Sequence, residues 1–427
     1  MKRFALIIII FFVFTSLFAQ IQWQENGIPI RQGVNIEWSR AATSLEDGSV
    51  VCVWSDTRRG DRDVWAQKVD LNGNLLWGDD AILVNGEINR QEDPVVIAAG
   101  DGDVIIAWVD FRNEDAGDVY AQKLDGNGNL LWDNTGVPLC LAEDVQISLN
   151  IVSDNTGGAY VIWLDSRNPG GVDIYGTHID SSGNIATGWD ANGNPVAAEN
   201  GEQDGHTFWA DGSGGAILAW HDTRSPDNAD IYAQRISTDG TLLWDAGGAL
   251  ICSASNDQEE VKMAPDGTGF FILVWMDKRN ENDGDIYAQR LDINGNLLWA
   301  SDQEVCVVGG SIQENPRITM ASDGGAIIVW EDNRNDWEYK DIYGQKIDLD
   351  GDIVWTSNGI PICIEENHQR NPRLVGDNNG GGWFVWDDGR TGGATHEDIY
   401  IQRVNSSGDT LFQENGREIC IENGQHF

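Results

Sequence analysis

The sequence predicts an all-β fold, a seven-bladed β-propeller of four-stranded antiparallel blades with about 55 residues per blade. Three observations carry this reading: one phrase recurs seven times, each copy resolves into four short strand signals, and no 3.6-residue helical period appears. The phrase opens with Trp-x-Asp-x-Arg at Trp54, Trp108, Trp163, Trp220, Trp275, Trp330 and Trp386, in steps of 54 to 57 residues. A loop of variable length follows, and then Asp-[Val/Ile]-[Tyr/Trp] at Asp63, Asp118, Asp173, Asp230, Asp285, Asp341 and Asp398.

The unit around Trp330 shows the elements in order. NPRITMAS is a first strand and DGG a turn; AIIVW is a continuous apolar run, a second strand buried on both faces. EDNRNDWEYK is a loop, DIYGQKID a third strand, LDGD a tight turn, and IVWTSNGIPIC holds the fourth strand. The chain has 50 Gly and only 10 Pro, as tight hairpins require. One such blade cannot bury both of its faces, so neighbours must stack. A β-solenoid coil is shorter than this unit, and a β-sandwich domain needs about 100 residues.

The ends fall outside the repeat. Residues 1–19 carry Lys2 and Arg3, then a short apolar run, then Leu17-Phe18-Ala19, the pattern of a secretory signal peptide. Residues 20–34 form an extra N-terminal strand, because IQWQENGIPI resembles IVWTSNGIPI of the sixth unit; it would close the ring as a velcro or lie as an edge strand. The propeller occupies 35–421. The last residues, IENGQHF, stand where a further first strand would begin, as in a truncated gene product lacking a C-terminal anchoring domain.

Without the leader the chain has 25 basic and 69 acidic residues. Such a charge excludes nucleic acid and anionic membrane as partners, and no second apolar stretch is long enough for membrane insertion. The expected location is periplasmic, cell-surface or extracellular. Cys140, Cys252, Cys306, Cys363 and Cys420 occupy near-equivalent places on different blades, so they read as small buried hydrophobes rather than disulfide partners. The repeat Trp residues, including Trp77, Trp132, Trp189, Trp244, Trp299 and Trp355 at the opening of the fourth strands, read as packing between blades. The repeat Arg is expected to fork onto a nearby Asp and fix its loop, as Arg279 onto Asp277 or Asp285.

Residues present in every blade build blades; a site should break the pattern. His206 lies where other blades carry Arg40, Pro94, Leu149, Val261, Pro316 and Pro372. His221 follows Trp220, where others have Ser55, Val109, Leu164, Met276, Glu331 and Asp387. A hairpin centred on Ser213-Gly214 would set His206 opposite His221 beside Asp222, a donor set suited to zinc or another ligand. The longer loops of blades 6 and 7 add Trp337, Tyr339 and His396 as ligand contacts. Asp348, Asp350 and Asp352 of the turn DLDGD are the candidate calcium ligands; the expectation is no cofactor, with Ca2+ as the alternative.

The phrase DGGAIIVWEDNRN…DIYGQKIDLDG resembles the TolB-type, WD40-like propeller repeat. The matching residues are Asp323, Gly324, Asp332, Arg334, Asp341, Ile342, Tyr343, Asp350 and Gly351, and the match extends over all seven units. This unit is longer and has Trp at two places. The resemblance implies a periplasmic or extracellular propeller scaffold and no particular activity. Gly-x-Ser-x-Gly, His-Glu-x-x-His and Cys-x-x-Cys are absent. The chain therefore reads first as a secreted, non-catalytic binding or scaffold module for protein or glycan, working on the face of the strand 2–3 loops. A propeller-fold glycan-active hydrolase or lyase, and a calcium-ordered acidic surface protein, are the alternatives. Pattern-breaking carboxylates, Arg or His converging at the axis would favour the enzyme.

Overall fold

The structure, a computed structural model, describes residues 29–30 and 37–420, apart from 114–115, 226, 267, 281–282 and 392–396. The expected leader, all but two residues of the extra N-terminal strand, and His396 lie outside the described residues. The chain forms seven four-stranded antiparallel sheets, each in simple sequence order. Blade 6 comprises Gln313–Met320, Ala326–Asp332, Asp341–Ile347 and Ile360–Cys363. First strands of successive blades touch, so they are the innermost. As the continuous apolar run implies, Ala326–Asp332 is buried at every residue. The fourth strand starts later than the sequence suggests. Trp355 precedes it, in a turn closed by the Ile347–Ile353 bridge.

Each blade is organised by its buried Asp. In blade 6 the Asp332 carboxylate is fully buried. It accepts the Trp330 indole N–H at 2.9 Å, and the Arg334 backbone N–H and Nε–H each at 2.9 Å. The Arg334 guanidinium stacks over Tyr343, 4.0 Å from the ring centroid, and donates from Nη2 to Cys306 Sγ of blade 5 at 2.9 Å. Asn335 Nδ2 ties the loop's far end, donating to Asp341 at 2.8 Å and the Tyr343 hydroxyl at 2.9 Å. The Trp-to-Asp bond recurs in all seven blades. Burial alone would raise the Asp56 carboxyl, but the Arg58 and Trp54 donors hold it below its ordinary value.

Two contacts join one blade to the next. The second Trp donates its indole N–H to a turn carbonyl of the following blade: Trp299 to Leu349 at 3.0 Å and Trp355 to Ser406 at 3.0 Å. The next blade's Arg reaches back to the strand-four Cys, as Arg167 to Cys140, Arg279 to Cys252 and Arg390 to Cys363, each at 3.1 Å. These thiols are thus buried acceptors as well as small packing groups. Burial pushes Cys140 up to about 11 and Cys252 up to about 12, so they stay protonated.

Apolar cores fill the junctions from blades 1–2 through 6–7. Their volumes follow one rule. A small residue on strand three (Ala66, Ala121, Gly176, Ala233, Ala288, Gly344) meets a large one on the next blade's strand two (Ile106, Val161, Leu218, Leu273, Ile328, Phe384). At Gly344 a Cβ would already stand 3.3 Å from Phe384. At the corresponding positions of blades 7 and 1 the sizes are exchanged: Ile401 is large and Cys52 small, both half-buried.

Asp332→Ala is expected to destabilise the protein by about 3–5 kcal/mol in denaturant unfolding, since it strands a half-buried guanidinium and an indole N–H. Ile401→Ala and Cys52→Leu should each lower the melting temperature, and the double variant should recover most of the loss. Additive losses would mean that blades 7 and 1 do not meet.

Candidate functional site

The innermost strands share a distortion. Opposite the repeat Trp, each carries a β-bulge whose leading residue has positive φ: Ser39 36°, Asp93 51°, Ser148 54°, Gly205 60°, Glu260 57°, Asn315 55° and Asn371 52°. A bulge re-aims side chains and breaks ladder pairing, and left-handed backbone is costly for residues other than Gly. Its presence in all seven blades makes it part of the architecture around the axis.

The bulges present a charged cluster on blades 4 to 7. In blade 4 the hairpin centres on Ser213, and the bulge shifts the register again, so His221 pairs with Asp204 and not with His206. The His221 imidazole Nε2 lies against the Asp204 carboxylate. An added Cβ at Gly205 would stand 2.5 Å from His221 Nδ1, so a larger residue there would displace the imidazole. His206 sits deep in the cluster. Burial, then Lys262, pushes its imidazole down to about 4, so it is neutral at physiological pH. Among the described residues its Nδ1 has no hydrogen-bond partner.

Lys262, Arg317 and Arg373 occupy one register position on blades 5, 6 and 7, opposite Val274, Val329 and Val385. Burial, then the charge of Arg317, lowers the Lys262 ammonium to about 8. Burial, then Arg373, lowers Arg317 to about 10. The carboxylates between them hold the bulges. Glu260 accepts the Asn315 backbone N–H at 2.5 Å; Glu331 accepts the Asn371 backbone N–H at 2.8 Å and Asn315 Nδ2 at 2.6 Å. Burial raises the Glu331 carboxyl above its ordinary range.

The other sequence-predicted residues fall elsewhere. Asp222 is the organising carboxylate of blade 4, accepting the Trp220 indole N–H at 2.8 Å and Arg224 Nε–H at 2.9 Å. Trp337 is 85% exposed on the strand 2–3 loop of blade 6. Tyr339, on the same loop, packs edge-on against His368 at 5.1 Å and lines a groove of about 530 Å³ with Asp336, Asp341, Glu365 and Glu366. Lys340 anchors that loop to the inner strands, pairing with Glu314 and lying 3.7 Å from Glu331. Asp348 accepts the backbone N–H of Asp350 and of Asp352, each at 2.9 Å, which accounts for it as a turn cap. Among the described residues, no three His, Cys, Asp or Glu side chains group as metal ligands.

Sequence comparison at His206 passes one residue to the side of the basic cluster. The adjacent position reads Ala41, Val95, Asn150, Thr207, Lys262, Arg317, Arg373. That run of three cations on consecutive blades is the signal that finds it.

No family model matches the chain, and no curated protein does. Solved structures do resemble it. The polysaccharide lyase Uly1 aligns with a TM-score of 0.51 and 10% identity, over 86% of this chain and 89% of its own. An ulvan lyase aligns with a TM-score of 0.46 and 9% identity, over 92% and 87%. Puromycin hydrolase aligns with a TM-score of 0.43 and 14% identity over 74% of this chain, which spans 46% of that protein's length. At these identities the likeness to Uly1 shows a shared fold alone.

The depressed Lys262 makes stability depend on pH. The unfolded state binds more protons between about 8 and the ordinary 10.5. The cost of the buried charge is full below that window and disappears as pH rises through it. Wild-type stability should therefore rise with pH relative to Lys262→Met across this interval, measured by urea unfolding. Parallel curves for the two proteins would refute the assignment.

Proposed function

We propose that this is an exported propeller that acts on a glycan at the axial mouth, on the face of the strand 2–3 loops. The observation that carries the reading is the convergence, on adjacent innermost strands, of residues that break the repeat: His206, Lys262, Arg317, Arg373 and Glu260, with His221 and Glu331 behind them. Cleavage of a glycosidic link, by hydrolysis or elimination, needs one group that accepts a proton and another that donates one. The neutral His206 imidazole is a form that accepts. Glu331, whose carboxyl burial shifts upward, is the donor this reading assigns. Exposed Trp337 offers a stacking face for a sugar at the rim. A fold shared with a polysaccharide lyase supports the reading. The leader-like residues 1–19 and the likeness of the repeat to TolB-type propellers support export.

A non-catalytic binding module is the second reading. It is favoured by the engagement of Glu260 and Glu331 as acceptors for bulge N–H groups, a structural duty that competes with proton transfer.

Incubation of the purified protein with a panel of polysaccharides should generate new reducing ends, or the ultraviolet absorbance of an unsaturated uronyl product. His206→Ala and Glu331→Gln should each lower the rate by on the order of 100-fold or more. Retention of a polysaccharide without turnover would establish the binding module instead.

A further inference from the structure

In a chain with 69 acidic and 27 basic residues a cation has carboxylates in reach. The repeat arginines all take one, as Arg112 takes Asp110, Arg224 takes Asp222 and Arg390 takes Asp388. Outside the repeat positions, Lys278, Arg290 and Lys346 are paired as well. Lys262, Arg317 and Arg373 form no ion pair with a described residue. Each bonds only a neighbouring backbone carbonyl: Lys262 that of Val261 at 3.0 Å, Arg317 that of Pro316 at 2.8 Å and Arg373 that of Pro372 at 3.3 Å. Their shared register position on three consecutive inner strands sets the three charges side by side.

We propose that Lys262, Arg317 and Arg373 form a preformed oxyanion-binding arc that restricts the ligand of the axial mouth to glycans bearing carboxylate or sulfate groups. The sugar carrier rests on the reading given above; the charge rests on the three side chains alone. Glu260 and Glu331 offset these charges only in part, since Lys262 and Arg317 are still lowered; the remaining repulsion destabilises the free protein, and an anion that bridges the three removes that cost. The planar guanidinium fork suits carboxylate and sulfate, and the partial burial of Lys262 and Arg317 protects the attraction from salt screening. The acidic remainder of the surface repels a polyanion, so the arc also fixes where such a chain can lie. Its spread over three blades matches a polymer that repeats its charges, rather than a single small anion.

The test is titration calorimetry and thermal melting with sodium sulfate, sodium glucuronate, an oligogalacturonide, a sulfated galactan oligosaccharide and a neutral cello-oligosaccharide. The proteins compared are wild type, Arg317→Met and Arg373→Met; Arg373 is exposed, so its variant keeps the fold. An acidic oligosaccharide should bind wild type, and each variant should weaken that binding by roughly tenfold or more. The uronate and sulfate arms decide which oxyanion is preferred. Without added anion, Arg317→Met should melt above wild type, because a repulsion has gone; an arginine serving only the fold would shift melting downward. If neutral and acidic oligosaccharides bind equally and neither variant matters, the arc is overturned while the glycan reading stands. If sulfate and glucuronate stabilise wild type and not Arg317→Met, yet no oligosaccharide binds, the arc stands and the glycan reading falls.

Discussion

One buried carboxylate per blade holds this molecule together. Asp332 and its six counterparts are each fully removed from water, a position that an unpaired charge cannot sustain. Each is satisfied by donors from its own blade: the indole two residues before it, and the backbone and guanidinium of the Arg two residues after it. In four blades the same guanidinium spans the junction to the preceding blade's thiol, and in blade 4 it bonds a carbonyl of its own blade. A single network therefore fixes the end of strand two, the start of the strand 2–3 loop and the docking of the neighbour. Lysine in place of Arg could not make the paired bonds, stack on Tyr343 and reach the thiol together.

Against that fixed frame the innermost strands vary. The frame sets their register and bulge, and so determines where each departing side chain must point. Blades 1 to 3 place Ala41, Val95 and Asn150 where blades 5 to 7 place Lys262, Arg317 and Arg373. The half of the ring that carries the basic residues is thus chemically distinct while its backbone is shared. Stability lost to crowded charges at the axis is offset by the outer cores, which are apolar and closely packed.

How much of this is legible in the sequence depends on periodicity. The Trp-x-Asp-x-Arg steps reveal blade number, the second and third strands, and the Arg-to-Asp fork, because each rests on local spacing. The start of the fourth strand is missed because Trp355 looks like a strand residue, whereas its indole belongs to a turn of the next blade. The pairing of His221 is missed for a deeper reason. A bulge breaks the two-residue alternation on which facing is calculated, and the residues that adopt its left-handed backbone are Ser, Asp, Gly, Glu and Asn, with no common side chain. His206 is found as a departure, yet its partners become visible only once the bulge is known.

The junction rule, small on one blade and large on the next, has a consequence for the history of the chain. Duplicating or excising an internal unit again sets a small residue against a large one, because every internal junction follows the same order of sizes, although Phe384 is matched to Gly344. Only Ile401 and Cys52 carry the opposite assignment, and they sit on the first and last units, where such events leave them untouched. The gene can change its number of units without inventing an interface, and an event confined to blades 2 and 3 would preserve the basic residues of blades 5 to 7.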